Sequence, residues 1–248
     1  MFRSLLYGYR VFAKWLSFAV FGAGTLNLIT VLFPLMRLFL HPRRRFQKYA
    51  RRLVSAAFRI FIRFMQALGA VSLEVDDREY YRKLSGKIVA ANHPSLLDVV
   101  MLISLIPNAD CVVRSNLSKT IVSGVIRQLY IPNGVNFGKL MEDCGDSLRQ
   151  GNCIIIFPEG TRTPRNGEGL YKKGAARISL ASRCPVVPVR IGGNDKYGLG
   201  KGDPWTGFNR AERYVYKISA GTELSPGDYP GGPSGVRRFT ADIREQLT

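Results

Sequence analysis

Two polar stretches follow short apolar runs, and each carries side chains that can do chemistry. The first stretch is Asn92–Asp98, which follows Ile88–Ala91 and places His93 five residues before Asp98. A carboxylate at one imidazole nitrogen fixes the tautomer and stabilises the imidazolium, so that the other nitrogen can take a proton. The pair is therefore typical of a general base. The spacing Ser95-x-x-Asp98 also fits a helix capping box, which gives Asp98 a second, purely structural interpretation.

Local sequence indicates where this histidine lies. Pro94 cannot continue a strand and biases His93 towards an extended conformation. Ser95 is a good N-cap for a helix that begins at Leu96. We therefore predict that His93 projects from a loop at the carboxyl end of a strand, just before a helix.

The second stretch is the turn Pro158–Thr163, which follows the apolar run Cys153–Phe157. It offers a carboxylate, backbone amides, a hydroxyl and a guanidinium. These groups come from Glu159, Gly160, Thr161 and Arg162. They suit an anionic ligand such as a phosphate, which a guanidinium binds in a bidentate manner. The alternative is an ordinary turn in which Glu159 and Arg162 pair with each other or with neighbouring residues.

The elements that position both stretches alternate between strands and helices. The predicted strands are Val71–Val75, Lys87–Ala91, Cys111–Arg114, Cys153–Phe157, Val186–Ile191 and Tyr214–Ala220. The predicted helices are Ser95–Ile106, Leu117–Leu129, Lys139–Gln150 and Lys173–Ser182, and the predicted loops are 192–209 and Ser225–Ser234. Alternation with nearly continuous apolar strands predicts an α/β fold with a mainly parallel central sheet flanked by helices. Ligands then bind beyond the carboxyl ends of the strands.

The N-terminal quarter has a different composition from the rest of the chain. Its first 73 residues contain 12 Lys and Arg but no Asp or Glu, in a chain of net charge +18. No ionisable side chain occurs from Trp15 to Met36, which as a helix is about 33 Å long and matches the thickness of a bilayer. This run is longer than the core of a signal peptide. Because Gly22, Gly24, Asn27 and Pro34 interrupt it, either a span or a helical hairpin within one leaflet fits.

The segment after this run is basic and amphipathic. On a helix, one face carries Arg45, Lys48, Arg52, Arg59 and Arg63. The opposite face carries Phe46, Leu53, Ala57, Phe61, Phe64, Met65 and Leu68. Such a helix is typical of the lipid headgroup layer, although a surface helix packed on a core gives the same pattern.

We therefore predict N-terminal membrane-anchoring helices over residues 1–68, with an apolar part over 15–36 and a basic amphipathic part over 43–68. A second domain is predicted over residues 69–248. If the apolar run spans a membrane, the seven Lys and Arg between Arg37 and Arg52 place the second domain on the cytoplasmic face, which is that of the inner membrane in a bacterium.

Several other classes of function are disfavoured. The chain has four Cys without a C-x-x-C pair and only two His, so neither a metal site nor a bound cofactor is expected. It has no zinc finger, basic zipper or RNA-binding aromatic signature, and nucleic acid is not an expected partner. It also has no G-x-S-x-G elbow, Walker loop or dinucleotide fingerprint.

Taken together, four blocks of the sequence resemble the lysophospholipid acyltransferase family, over roughly residues 70–220. Asn92–Asp98 looks like the family's N-H-x-x-x-x-D box, and Phe157–Thr163 matches its F-P-E-G-T-R-S box almost letter for letter. Lys172–Ala175 and Cys184–Val189 are similar to its K-x-G-A and V-P-V-x-P-V blocks.

This resemblance implies an O-acyltransferase that moves an acyl group from a thioester of coenzyme A or acyl carrier protein to a lysophospholipid, with 1-acylglycerol-3-phosphate as the first candidate. It implies that His93 is the catalytic base and Asp98 its partner. The implied site for the acceptor phosphate is Glu159, Gly160, Thr161 and Arg162. The family's membrane-bound N-terminal helices agree with the pattern of residues 1–68, and membrane lipids are the expected partners.

One block departs from the family pattern. Between the two boxes, relatives usually carry G-x-x-x-[IV]-[DE]-R, whose basic residue helps to hold the acceptor. The corresponding stretch here, residues 131–139, lacks that arginine, and Lys139 is the available substitute. A different lysolipid or an aminolipid is therefore an alternative acceptor. A lipid-binding protein without catalytic activity is a further alternative.

Overall fold

The computed structural model describes residues 2–114, 130–133, 136–165, 169–209 and 211–248. Its helices are α1 (Phe2–Asn27), a π-helical turn (Leu28–Leu32), α2 (Phe33–Phe39), α3 (Arg43–Ala67), α4 (Arg78–Lys83), α5 (Asp98–Leu105), α6 (Phe137–Arg149), α7 (Gly174–Ser182), a 3₁₀ turn (Pro226–Asp228) and α8 (Gly232–Leu247). Its strands are β1 (Val71–Val75), β2 (Ile88–Ala91), β3 (Ala109–Arg114), β4 (Tyr130–Asn133), β5 (Cys153–Ile156), β6 (Val186–Gly193) and β7 (Tyr214–Ala220).

The strands form one sheet in the order β1-β7-β6-β2-β5-β3-β4. Every neighbouring pair is parallel except β6 and β7, which are antiparallel. The predicted α/β fold with a mainly parallel sheet is therefore confirmed. The alternation between strands and helices predicted it because parallel neighbours need crossover connections.

The central strands are apolar throughout because helices cover both faces of the sheet. All four residues of β2 and all four of β5 are buried. Val89 and Ile155 belong to the apolar cluster that includes α3 and α5, whereas Ile88 and Ile154 belong to the cluster that includes α6, α7 and α8. This alternation follows from the two-residue period of a strand.

Some predicted boundaries were wrong. The helix predicted from Ser95 begins at Asp98, and the predicted loop Ser225–Ser234 contains a 3₁₀ turn and the start of α8. Three elements were not predicted: α4, β4 and α8. Strand β4 contains Pro132 and is the outermost strand in the described sheet, where proline is tolerated. The predicted helix Leu117–Leu129 lies outside the described residues.

The N-terminal helices form an antiparallel pair. The helix is continuous from α1 through the π-helical turn into α2, so a hairpin within Trp15–Met36 is wrong. Contacts between the two members of the pair run along their length. They join Tyr9 to Leu68, Phe21 to Phe61, and Phe33 to Phe46. The apolar face of α3 is buried, as expected of a surface helix packed on a core, and Arg45, Lys48 and Arg52 on its basic face are exposed.

The outer face of α1 and α2 is apolar and exposed. Phe12, Leu38 and Phe39 are 61%, 71% and 78% exposed. In the described residues, Ser4–Phe39 is the one helix long and apolar enough to cross a membrane, and only 22% of its most apolar stretch is buried. Apolar surface of this extent on a helix fits contact with lipid better than a helix of a soluble core.

Candidate active site

The loop that carries His93 is fixed to the sheet by its first residue. The Asn92 side chain accepts a hydrogen bond from Ile191 N at 2.7 Å and donates one to Ile191 O at 3.0 Å. It thereby continues the pairing of β2 with β6 beyond the end of β2. His93 follows at the carboxyl end of this strand, as the sequence predicted.

His93 and Asp98 are in direct contact. His93 Nδ1 lies 2.8 Å from Asp98 Oδ2, and Asp98 is completely buried while 17% of the His93 side chain is exposed. The same carboxylate accepts hydrogen bonds from Ser95 N at 2.7 Å and Ser95 Oγ at 2.6 Å. Because the ionised carboxylate only accepts, Nδ1 carries its proton towards Asp98 and Nε2 is left as a base.

Asp98 therefore makes the contacts that both of its interpretations require. Its bond to Ser95 N is the reciprocal half of a capping box, and its bond to His93 orients the imidazole. Ser95 itself differs from the prediction. Its hydroxyl accepts from Leu97 N at 3.2 Å and donates to Asp98, and the regular helix begins only at Asp98. The turn Ser95–Leu97 thus holds the carboxylate under the imidazole.

A buried tyrosine extends this network. The Tyr216 hydroxyl lies 2.7 Å from Ser95 Oγ, and Tyr216 is fully buried. Since the Ser95 proton is directed at Asp98, the Tyr216 hydroxyl is the donor to Ser95. Burial raises the pKa of Tyr216 well above its usual value, so it stays protonated and able to donate. No signal for this role is visible in the sequence, because Tyr216 lies with Tyr214 and Ile218 on the buried face of β7 and looks like an ordinary core residue.

A buried lysine, Lys196, packs against the Tyr216 ring of this network. Lys196 is 5% exposed, and its ammonium lies 4.7 Å from the centre of the Tyr216 ring. Burial lowers the pKa of Lys196 to about 8, although nearby Asp98 opposes the shift. The amine donates to Gly192 O at 3.4 Å and also to Asn194 O. Only its position in a loop with many glycines was visible in the sequence, and this did not mark it as part of a site.

The turn Pro158–Thr163 joins the first stretch through Glu159. Glu159 is 4% exposed, and its Oε1 accepts from His93 N at 3.1 Å and from Thr163 Oγ1 at 2.7 Å. Thr163 N donates to His93 O at 2.7 Å. The Phe157 ring stacks on the imidazole with centroids 4.2 Å apart. The structure therefore brings the two predicted stretches together, as neighbouring parallel strands require.

Arg162 is held by the long loop after β6. Its Nη1 donates to Leu199 O at 2.9 Å and to Gly200 O at 2.7 Å. Arg162 and Glu159 therefore bind different partners. Of the alternative interpretation as an ordinary turn, pairing of the two residues with each other is wrong, whereas pairing of each with other residues of the protein is observed. Gly160 adopts a left-handed backbone with φ of 64°, which glycine allows without strain. Thr161 is partly exposed in the same turn.

Beside these residues lies a cleft of about 200 Å³, which includes Pro94, Thr163, Arg165, Lys196 and Gly200 in its lining. Arg165 is held by Asp203, at 2.6 and 2.7 Å, and by Asp195, at 3.1 Å. Lys139, the possible substitute for the missing arginine, lies in the first turn of α6. Its side chain is 69% exposed and lies 3.6 Å from Asp143.

The comparisons with known proteins agree with this fold. Residues 72–192 match the family model described as Acyltransferase, and all four sequence blocks lie within this range. This match confirms the predicted resemblance to the lysophospholipid acyltransferase family over these residues.

Two relatives with specific names are similar to about half of this chain. The "Probable 1-acyl-sn-glycerol-3-phosphate acyltransferase" of Mycoplasma genitalium is 27% identical over 151 residues, which cover 56% of this chain and 56% of that protein. "1-acyl-sn-glycerol-3-phosphate acyltransferase beta" of Homo sapiens is 29% identical over 140 residues, which cover 52% of this chain and 49% of that protein. The matches thus span about half the length of these relatives.

A solved structure matches over nearly the whole chain. The crystal structure of "the 1-acyl-sn-glycerophosphate (LPA) acyltransferase, PlsC, from Thermotoga maritima" superposes with a TM-score of 0.69. The match covers 98% of this chain and 96% of that chain at 20% identity. It confirms the fold, including the arrangement of N-terminal helices before an α/β sheet.

Proposed function

We propose that the protein is a membrane-associated O-acyltransferase that transfers a fatty acyl group from a thioester to a hydroxyl of a lysophospholipid, with 1-acylglycerol-3-phosphate as the first candidate. The observation that carries this proposal is the His93–Asp98 contact of 2.8 Å, in which Asp98 is also held by Ser95 N and Ser95 Oγ and the imidazole is 17% exposed. The names of the relatives supply the substrate class.

The chemistry follows from the free nitrogen of His93. Nε2 removes the proton of the acceptor hydroxyl while the hydroxyl oxygen attacks the thioester carbonyl. The tetrahedral intermediate collapses to an ester and a thiolate, and the thiolate takes the proton from the imidazolium. Asp98 stabilises the imidazolium during these steps. The thioester of coenzyme A or acyl carrier protein is the only co-substrate, and no other cofactor takes part.

The acceptor phosphate is assigned to the turn after β5. Arg162 contributes its guanidinium, of which Nη1 is bound to two carbonyls, and Gly160 and Thr161 contribute the adjoining backbone and hydroxyl. Glu159 supports the site by holding His93 N through Oε1. Lys139 is exposed and close to Asp143, which is weak replacement for the missing arginine. A different lysolipid or an aminolipid therefore remains the second candidate acceptor.

The membrane is assigned to the N-terminal pair of helices. The exposed apolar face of α1 and α2 would enter one leaflet, and the basic face of α3 would meet anionic headgroups. The excess of Lys and Arg after the apolar run supports the cytoplasmic leaflet. This arrangement delivers an amphipathic acceptor to the cleft without removing it from the membrane.

The test is turnover by the purified full chain with an acyl-CoA and a panel of lysolipids and aminolipids. His93→Ala should lose activity by a factor of about 10³ or more, because the general base is gone. His41→Ala is the matched control, since His41 is the other histidine and is exposed. A His93→Ala protein that is folded and equally active would refute the mechanism. Lysolipid binding without turnover by the unmodified chain would favour the lipid-binding alternative.

A further inference from the structure

A second cleft, of about 430 Å³, opens between α3 and the sheet. We call it the basic cleft because one wall is formed by Arg44, Arg45, Lys48, Arg51 and Arg52. Its floor is formed by the loops before β2, β3 and β5, at Ser85, Asn108 and Gly151.

The basic cleft is separate from the candidate active site. Its floor lies at the amino ends of β2, β3 and β5, whereas His93 and Glu159 follow the carboxyl ends of β2 and β5. The four residues of β2 alone put about 13 Å between the two edges of the sheet. A ligand in the basic cleft therefore does not meet the His93 imidazole.

The charge of the basic cleft is mostly uncompensated. Arg51 is neutralised, since Nε and Nη2 donate to Asp110 at 2.6 and 2.8 Å and both residues are buried. This pair fixes α3 to the sheet. The other four cations are exposed, and within the described ranges none of them has a carboxylate within 4.0 Å. Four like charges in one concave site repel one another, and a bound anion would relieve that repulsion.

The surroundings of the basic cleft indicate which anion. Helix α2 ends in Leu38 and Phe39, which are 71% and 78% exposed and come within six residues of Arg44 in the chain. A small soluble anion makes no apolar contacts with these exposed side chains, which directly precede the basic wall in the chain, but a phospholipid presents a phosphate and acyl chains together. We propose that the basic cleft binds the headgroup phosphate of an anionic membrane phospholipid, whose acyl chains lie against the end of α2.

This inference goes beyond the proposed function, because the bound lipid is neither acceptor nor donor. It also differs from diffuse attraction between a basic helix and a membrane. Arg59 and Arg63 belong to the same basic face of α3 but lie outside the cleft. The proposal assigns a discrete site to the first half of the helix and to the loops beneath it.

The test compares two double variants of the full chain by flotation with phosphatidylcholine vesicles that contain phosphatidylglycerol. Arg44→Gln with Lys48→Gln removes two charges from the basic cleft, and both side chains are exposed, so folding should be unaffected. Arg237→Gln with Arg238→Gln removes the same charge from the exposed face of α8, across the sheet. The first variant should lose about tenfold in vesicle binding and the second should change little.

A site-specific measurement accompanies the flotation. Hydrogen exchange of the floor loops, residues 106–110 and 148–153, should slow when the phosphatidylglycerol vesicles are added, and inorganic phosphate at the same concentration should not reproduce the effect. Equal loss of flotation in both double variants, or protection of α3 without protection of the floor loops, would overturn the proposal in favour of diffuse attraction. Protection by inorganic phosphate alone would also overturn it, in favour of a soluble anion.

Acyl transfer in neutral detergent micelles distinguishes this proposal from the proposed function. The Arg44→Gln, Lys48→Gln variant should keep its turnover there, because the His93 site is untouched. Loss of turnover in micelles with unchanged flotation would overturn the lipid site. An unmodified chain that floats through the basic cleft but has no turnover would refute only the proposed function.

Discussion

The substitution Asp98→Asn removes the negative charge of the side chain but keeps its size, so it tests the effect of the charge alone. Asp98 accepts three hydrogen bonds, from His93 Nδ1, Ser95 N and Ser95 Oγ, at 2.8, 2.7 and 2.6 Å. An asparagine has one accepting oxygen, and its NH₂ group would face at least one of the three donors. Either the imidazole changes tautomer, which puts a proton on Nε2, or a buried donor is left without a partner.

The size of the effect follows from these two outcomes. The wrong tautomer in a serine protease triad costs about 10⁴ in kcat, which corresponds to about 5.5 kcal/mol of activation free energy. We expect a loss of about 10³ to 10⁴ in kcat with a small change in KM, because the acceptor site is not touched. A buried donor without a partner should lower the free energy of unfolding by about 1–3 kcal/mol.

The assay is steady-state acyl transfer by the purified variant, with urea unfolding to measure stability. The separate values of kcat and KM add a readout that a structural defect would not produce, since kcat should fall while KM stays near that of the wild type. Wild-type kcat with reduced stability would refute the reasoning, because Asp98 would then serve only the capping box.

Three further changes probe the residues around this pair. Glu159→Gln keeps an accepting oxygen for His93 N, and its kcat should stay within about tenfold of that of the wild type. Glu159→Ala loses two hydrogen bonds, and its kcat should fall about a hundredfold. Equal losses of kcat in the two variants would show that the charge of Glu159 matters instead of its hydrogen bonds. Tyr216→Phe removes the donor to Ser95 Oγ. Urea unfolding should show a free energy of unfolding lower by about 0.5–1.5 kcal/mol, and turnover should show a kcat lower by less than about tenfold. An unchanged free energy of unfolding would contradict the hydrogen bond. The pKa of Lys196 is lowered from 10.5 in the unfolded chain to about 8 in the folded protein. Between about pH 8 and pH 10.5 the unfolded state therefore binds more protons than the folded state, and the contribution of Lys196 to the free energy of unfolding rises with pH. The difference in unfolding free energy between wild type and Lys196→Met should rise over this range and stay level below it, and a flat difference throughout would show that Lys196 is not perturbed.

The sequence predicted six of the seven described strands and placed both polar stretches at the ends of strands. Buried parallel strands can be recognised in a sequence as continuous apolar runs. In the structure the carboxyl ends of β2 and β5 lie side by side, because these two strands are neighbours in the sheet. Tyr216 and Lys196 were not predictable, because β7 reaches the His93 loop only through tertiary packing of strands far apart in sequence. Strand β4 was not predicted because proline is uncommon within strands, and α8 was not predicted because its start lies in a segment rich in Gly and Pro.

The structure also changes how the N-terminal helices relate to the site. Lys14 is fully buried in α1, and its amine donates to Trp205 O and Gly207 O in the loop after β6. The same loop supplies Leu199 O, which accepts from both Arg162 Nη1 and Leu96 N. A helix with an exposed apolar face is therefore joined, through one buried lysine and one loop, to the backbone beside His93 and to the guanidinium assigned to the acceptor. The contacts between α1 and this loop make the first helix part of the support of the site, in addition to its proposed role at the membrane.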